Sequence, residues 1–299
     1  MTDDARRLFG RVLTAMVTPF HPDGSLDLAA AQRLAAHLVD EAGNDGLVIS
    51  GTTGESPTTS DEEKDRLLRA VLEAVGDRAR VIAGAGTNDT RHTVHLAQHA
   101  EKAGAHGVLL VTPYYNKPPQ AGLIRHFTAA ADAVGLPVML YDIPGRTGVA
   151  IHTDTLARLA EHPGIVAVKD AKGDLAATQQ VLAGTDLAVY CGDDALNLPM
   201  LAVGAVGVVS VVSQATGRRY AEMVRAVEAG DLAAARRINE RQLPAVRGIM
   251  TRTQGAIMAK AALQLQGLLP SRAVRAPLLE ATDDQVAVLR QDLAEAGIG

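Results

Sequence analysis

Eight short apolar runs, separated by longer amphipathic stretches, constrain this chain more than any other feature. They are Val12–Thr18, Gly46–Ser50, Arg80–Ala85, Gly107–Thr112, Pro137–Asp142, Gly164–Lys169, Ala188–Cys191 and Gly204–Val212. Most lack the polar alternation of a strand with one wet face. Continuous Val, Ile and Leu are expected of parallel strands covered on both sides.

The stretches between them carry helix signals. Asp61–Val75 begins at Ser60, with Glu63 three residues on, the spacing of a capping box. Leu67, Leu68, Val71, Leu72 and Val75 then recur at helical spacing. Thr90–Ala103 and Leu28–Ala42 end before Gly104 and Gly43, residues suited to a left-handed helix stop. Gln120–Val134 ends before Gly135 and Pro137, and Thr153–His162 before Pro163 and Gly164. Eight strands alternating with helices imply an α/β fold with a parallel sheet, and eight units close a (β/α)8 TIM barrel. An open doubly wound sheet is the competing architecture, but no GxGxxG follows the first run. After about Asp231 the strand-like runs stop, and Leu232–Arg241, Arg252–Leu265 and Asp283–Ala296 read as helices. The expected division is a catalytic barrel over residues 1–231 and a C-terminal helical subdomain over 232–299.

Composition excludes several classes of function. Hydrophobic residues make up 47% and charged residues 21% of 299, so the chain is neither disordered nor membrane-like. A net charge of −5 without a basic stripe argues against nucleic acid as a partner. The single Cys191 rules out an intrachain disulfide. Met1–Gly10 is polar, with Asp3 and Asp4, unlike a signal peptide. No apolar run approaches transmembrane length, so the cytoplasm is the expected location, with no membrane partner.

A barrel places its active site at the C-terminal ends of its strands, and there the sequence is unusual. Gly51-Thr-Thr-Gly-Glu-Ser56 follows the second run, Gly86-Thr87-Asn88 the third and Thr112-Pro-Tyr-Tyr-Asn-Lys-Pro-Pro119 the fourth. The fifth run leads through Tyr141 into Asp142-Ile-Pro-Gly-Arg-Thr-Gly148, the sixth ends in Lys169-Asp-Ala-Lys-Gly-Asp174, and the seventh leads into Gly192-Asp-Asp194.

Lys169, at the end of Ile165-Val-Ala-Val168, is the most informative of six lysines. Among barrel side chains a lysine loses hydration, which favours the neutral amine that attacks carbonyls. The plainer reading is a lysine that snorkels to solvent or pairs with Asp170. The Gly51–Ser56 loop offers two hydroxyls and backbone N–H groups that suit a small carboxylate, or merely a turn and a helix cap. Tyr114, Tyr115 and Tyr141 lie at strand ends, where a phenol can relay protons or simply pack. Arg146 could clamp a carboxylate bidentately, or be one more surface arginine among 23. His92, His95 and His99 share a helix without an HExxH-type acid, so metal catalysis is not indicated.

Together these motifs resemble the pyruvate-dependent Schiff-base lyases, the family of dihydrodipicolinate synthase and N-acetylneuraminate lyase. The resemblance runs from Thr14-Ala-Met-Val-Thr-Pro-Phe20 to the C-terminal helices, with four motifs in order and register. It is strongest with the dihydrodipicolinate synthase branch, which condenses pyruvate with L-aspartate 4-semialdehyde on the diaminopimelate route to lysine. The resemblance implies that Lys169 forms the pyruvate imine without a further cofactor, that Thr53 holds the pyruvate carboxylate, and that Tyr141 shuttles protons. It implies that Thr52 links Tyr141 to a Tyr115 reaching in from a neighbouring subunit. Arg146 would bind the aldehyde's carboxylate, while Val209, through its carbonyl, and Gly192 would line the pocket. A homotetramer, a dimer of dimers, is implied as well.

Lysine-inhibited members line an effector site that would here include Ser56, Asn88 and Tyr114. Two histidines and a glutamate of that site are replaced by Asp61, Lys64 and His92. A cation at Lys64 would repel the effector's ammonium, so weak lysine feedback is expected. The Ser213-Gln-Ala-Thr216 stretch fits no pattern of chemistry. Two alternatives stay open: a sibling aldolase for sugar acids, whose members usually lack the Arg-Thr-Gly turn, and a non-catalytic keto-acid sensor.

Overall fold

Each of the eight apolar runs contains a strand. They are β1 Val12–Ala15, β2 Gly46–Ile49, β3 Arg80–Gly84, β4 Gly107–Val111, β5 Val138–Asp142, β6 Ile165–Asp170, β7 Ala188–Cys191 and β8 Gly207–Ser210. They pair in chain order, all parallel, and β1 pairs with β8 to close the barrel. The computed structural model describes residues 8–298. Residues 1–7, most of the segment read above as unlike a signal peptide, and Gly299 lie outside the described residues.

Several strands are shorter than their apolar runs. β1 stops at Ala15 although the run continues to Thr18, and β8 occupies only the middle of Gly204–Val212. Apolarity reports burial, and Met16, Val17, Val211 and Val212 are all buried. Strand ends are set instead by where the ladder of hydrogen bonds stops. The side chains of Gln214 and Ser213 take over there. Gln214 Oε1 accepts from the Val17 N–H at 3.0 Å, its amide donates to the Ala15 carbonyl at 3.1 Å, and Ser213 Oγ lies 2.6 Å from Thr14 Oγ1. The unassigned Ser213–Thr216 stretch is thus a short buried helix that locks β8 to β1.

The helices follow their capping chemistry. Asp61–Val75 starts with the expected capping box: Ser60 accepts from the Glu63 N–H, and Glu63 accepts from the Ser60 N–H. Thr90–Ala103 ends at Gly104 with φ +90°, the left-handed conformation that favours glycine. The first helix is regular over Leu28–Ala36 and widens into a π-turn over His37–Glu41 before Gly43.

The C-terminal segment departs further from expectation. The helix expected over Leu232–Arg241 runs through Pro244 to Val246, and a π-turn follows over Arg247–Thr251. A proline ends a helix when nothing opposes it. Here Ala245, Val246 and Ile249 are buried, and their packing carries the chain on. The next helix starts at Gly255 rather than Arg252, where the Gln254 side chain accepts from the Ala256 and Ile257 N–H groups. One continuous apolar core joins strand residues such as Val48 and Val168 to Ile249, Met258, Leu263 and Leu289 of these last helices.

Candidate active site

Lys169 and Tyr141 are register partners on β6 and β5. Both side chains are buried, and the Lys169 ammonium nitrogen lies 4.1 Å from the Tyr141 ring centroid. The alternative pairing with Asp170 does not occur, since the Asp170 carboxylate turns to Lys172 and Thr178. Lys169 opens into a cavity of about 380 Å³ whose lining includes Thr52, Thr53, Tyr141, Arg146 and Gly192. Its outer wall comes from the C-terminal segment, including Val246, Met250 and Gln254. A Cβ on Gly192 would stand 2.8 Å from both Cγ and Cε of Lys169. Only glycine lets the end of β7 lie against the lysine stem.

The loop that carries Thr52 and Thr53 is bent at both ends. Ser50 has φ +57° and Glu55 φ +56°, left-handed conformations that ordinary side chains pay for with strain. Three contacts hold the bend. The Thr18 hydroxyl donates to the Gly54 carbonyl at 2.7 Å. The buried Glu55 carboxylate accepts from Lys260 Nζ, 205 residues away, and from the Arg275 N–H at 2.9 Å. Lys260 also donates to the Ala273 carbonyl at 2.7 Å, and the Lys260 and Arg275 cations both sit 4.3 Å from the Phe20 ring centroid. Sequence reasoning missed this clamp. Its signal was a lone charged residue inside the helix Gly255–Leu265, which is apolar apart from Gln264 near its end, since a buried charge needs a partner.

Arg146 stands on a single helical turn, Pro144–Thr147, closed by Gly148 at φ +79°. The Thr147 hydroxyl, bonded to the Ile143 and Val149 carbonyls, stiffens the turn. The Arg146 side chain is exposed, borders the cavity, and has no ion-pair partner among the described residues. A guanidinium so placed is free to receive a carboxylate.

Two of the expected catalytic and substrate-binding residues stand outside this cavity. Tyr115 is 88% exposed, with φ +74°, and does not reach the Lys169 cavity of its own chain. Val209 is fully buried on β8, and Val211 lines the cavity instead. Thr52 and Tyr141 share the cavity wall without a hydrogen bond between their hydroxyls. Ser56 and Tyr114 line a second cavity of about 230 Å³, which shares Thr52, Tyr141 and Arg146 with the first. Asn88 is not on it; the Asn88 carbonyl accepts from Asn116 at 2.8 Å. Lys64 faces a separate small pocket beside Asp61, and its amine donates to the Thr59 carbonyl. Burial lowers the pKa of Lys64. Asp61 pairs with His92 at 2.8 Å.

A closed eight-stranded barrel with a buried lysine, a tyrosine beside it and hydroxyls around a small cavity defines a class: barrel lyases that work through a lysine imine. The chain belongs to the dihydrodipicolinate synthetase family, whose model matches residues 8–296. Its relatives include the 4-hydroxy-tetrahydrodipicolinate synthase of Kineococcus radiotolerans, 69% identical over 98% of this chain and 94% of that one. The enzyme of the same name from Acidothermus cellulolyticus is 66% identical over 97% and 93%. Among solved structures, the Cyanidioschyzon merolae dihydrodipicolinate synthase with lysine bound superposes with a TM-score of 0.94 at 43% identity. That match covers 97% of this chain and 99% of the other.

Proposed function

We propose that this chain condenses pyruvate with L-aspartate 4-semialdehyde to form 4-hydroxy-tetrahydrodipicolinate. The observation that carries the reading is the buried Lys169 amine, set against Tyr141 in a cavity bordered by Arg146. The amine adds to C2 of pyruvate, and the carbinolamine loses water to give the imine. Loss of a C3 proton gives the enamine, which attacks the aldehyde carbon. The acceptor's own amine then adds to the imine carbon, closes the ring and expels Lys169. Tyr141 is the group positioned to pass protons to and from the oxygens. The Thr52–Thr53 loop holds the pyruvate carboxylate with neutral donors. The imine itself serves as the electron sink, so no further cofactor is needed.

Borohydride reduction in the presence of pyruvate, followed by intact mass, tests the imine. A stable adduct on Lys169 is expected, and its absence favours a keto-acid sensor. Ring formation from aspartate semialdehyde, assayed beside retro-aldol cleavage of sugar acids, then separates this enzyme from its sibling aldolases. Arg146 supplies a further discriminating test. Arg146→Ala is expected to cut turnover with aspartate semialdehyde by roughly ten- to a hundredfold, because a lost charge-assisted hydrogen bond to the carboxylate is worth about 1.5–3 kcal/mol. Adduct formation with pyruvate alone should change little. Equal damage to both steps would contradict the assigned role.

The exposed Tyr115 supports a homotetramer in which this side chain completes a neighbour's site. No described helix is long and apolar enough to cross a membrane. Ser56 and Tyr114, on the cavity beside Tyr141, would form part of an effector site. With Asp61 and His92 engaged with each other and Lys64 at the neighbouring position, lysine should inhibit weakly. Initial rates measured with added lysine check this, and strong inhibition at submillimolar lysine would refute it.

A further inference from the structure

The β5–β6 register that sets Tyr141 beside Lys169 also sets Asp142 beside Asp170. Successive strand residues point to opposite faces. Tyr141 and Lys169 line the cavity, so the two aspartates lie behind it. Between them sits Lys172, its Nζ 3.4 Å from Asp142 Oδ2 and 3.9 Å from Asp170 Oδ2. The side chains of Lys172, Asp142 and Asp170 are 8%, 0% and 4% exposed, and this burial matters because exposed pairs at such distances hold little in place.

Hydrogen bonds tie the cluster to two neighbouring segments, at Thr178 and at Ile151. Asp170 accepts from the Thr178 hydroxyl at 2.8 Å and the Lys172 N–H at 3.0 Å. Asp142 Oδ2 accepts from the Ile151 N–H at 3.1 Å, three residues beyond Gly148, which closes the turn of Arg146. Asp142 Oδ1 accepts from no described residue. Two buried carboxylates therefore share one ammonium, and the mechanism above uses none of the three.

We propose that Lys172, held between Asp142 and Asp170, is a positioning residue for the imine chemistry: it fixes the ends of β5 and β6, and with them the approach of Tyr141 to Lys169. The inference rests on the reading of Lys169 as the imine former. It also carries a pH signature. Burial pushes the Asp142 carboxyl up to about 6; the Lys172 ammonium pulls it down and the Asp170 charge raises it. Lys172 and Asp170 are the charged groups that face it, and the segment at Ile151 contributes a backbone N–H. Between its ordinary value of 3.8 and about 6, the folded chain keeps a proton that the unfolded chain has released. The stability from this group is therefore present at low pH and lost as pH rises through 6. Below 6 the carboxyl is neutral: the fold as a whole is no less stable, but Lys172 keeps only one of its two counter-charges and is itself held less tightly in place.

The test compares the parent enzyme with Lys172→Met and the isosteric Asp142→Asn. The rate of borohydride-trapped pyruvate adduct formation is followed by intact mass across about pH 5 to 8, beside thermal unfolding. Folded Lys172→Met should form the adduct about ten- to a hundredfold more slowly, the scale of a small misplacement of reacting groups. Asp142→Asn should lose the inflection near pH 6 and stay at the parent's low-pH rate throughout. Folded variants that keep the parent's rate and pH profile overturn the proposal. If Lys172→Met does not fold, Asp142→Asn decides alone, and an unchanged profile overturns it. A parent enzyme that yields no adduct overturns the imine reading itself, and this inference with it.

Discussion

Lys169→Arg is expected to fold normally and to lose turnover by on the order of 10⁶-fold, the scale seen when a covalent nucleophile is removed. Arginine keeps the charge and much of the buried stem, so the strand end should hold. Its guanidinium stays protonated at any working pH, however, and cannot add to a carbonyl. The pyruvate adduct trapped by borohydride should vanish with the activity, while the melting temperature moves little. Turnover within tenfold of the parent would show that Lys169 acts through its charge and not through a bond. The geometry makes the two readings separable, because the amine sits over the Tyr141 ring with no acid paired to it.

Lys260→Met should produce the largest loss of stability. It removes the ammonium and leaves the Glu55 carboxylate buried against Arg275, with the Lys260 and Glu55 side chains 0% and 1% exposed. Breaking a buried pair from one side costs about 3–5 kcal/mol. For a chain of this size that corresponds to a fall of roughly 10 °C in melting temperature, readable by calorimetry. The double variant Lys260→Met with Glu55→Gln should recover part of the loss, because no uncompensated charge remains. A double variant no more stable than Lys260→Met would mean that the lysine acts by packing on Phe20 rather than by its charge. Because Glu55 ends the loop that carries Thr52 and Thr53, Lys260→Met should also raise the KM for pyruvate.

The barrel was legible because its signal is local. Apolar runs of strand length, capping residues such as Ser60 and Glu63, and glycines at helix stops each act within a few residues of themselves. The strand ends also marked the site, since Lys169, Tyr141, Arg146, Thr52 and Thr53 all lie at or just after the ends of apolar runs and all line one cavity. Errors fell where tertiary packing overrides a local rule. Pro244 lies inside a helix because buried residues follow it, and the run Gly204–Val212 holds a strand of only four residues because buried turns share its apolarity.

The residues missed altogether were the charged ones that work in pairs. Lys260 and Glu55 are 205 residues apart, and nothing near either names the other. Lys172 could be read only as a loop lysine until β5 and β6 were seen side by side, with Asp142 and Asp170 behind the reactive pair. Sequence alone determined the number and order of strands, the barrel that eight of them close, and the set of strand ends that could carry chemistry, because periodicity and capping are written in neighbouring residues. The tertiary structure alone decided which of those groups meet. Lys169 faces Tyr141 rather than Asp170, Glu55 is held by Lys260, and Tyr115 stands outside its own chain's cavity, since such contacts depend on register and burial between segments far apart in the chain.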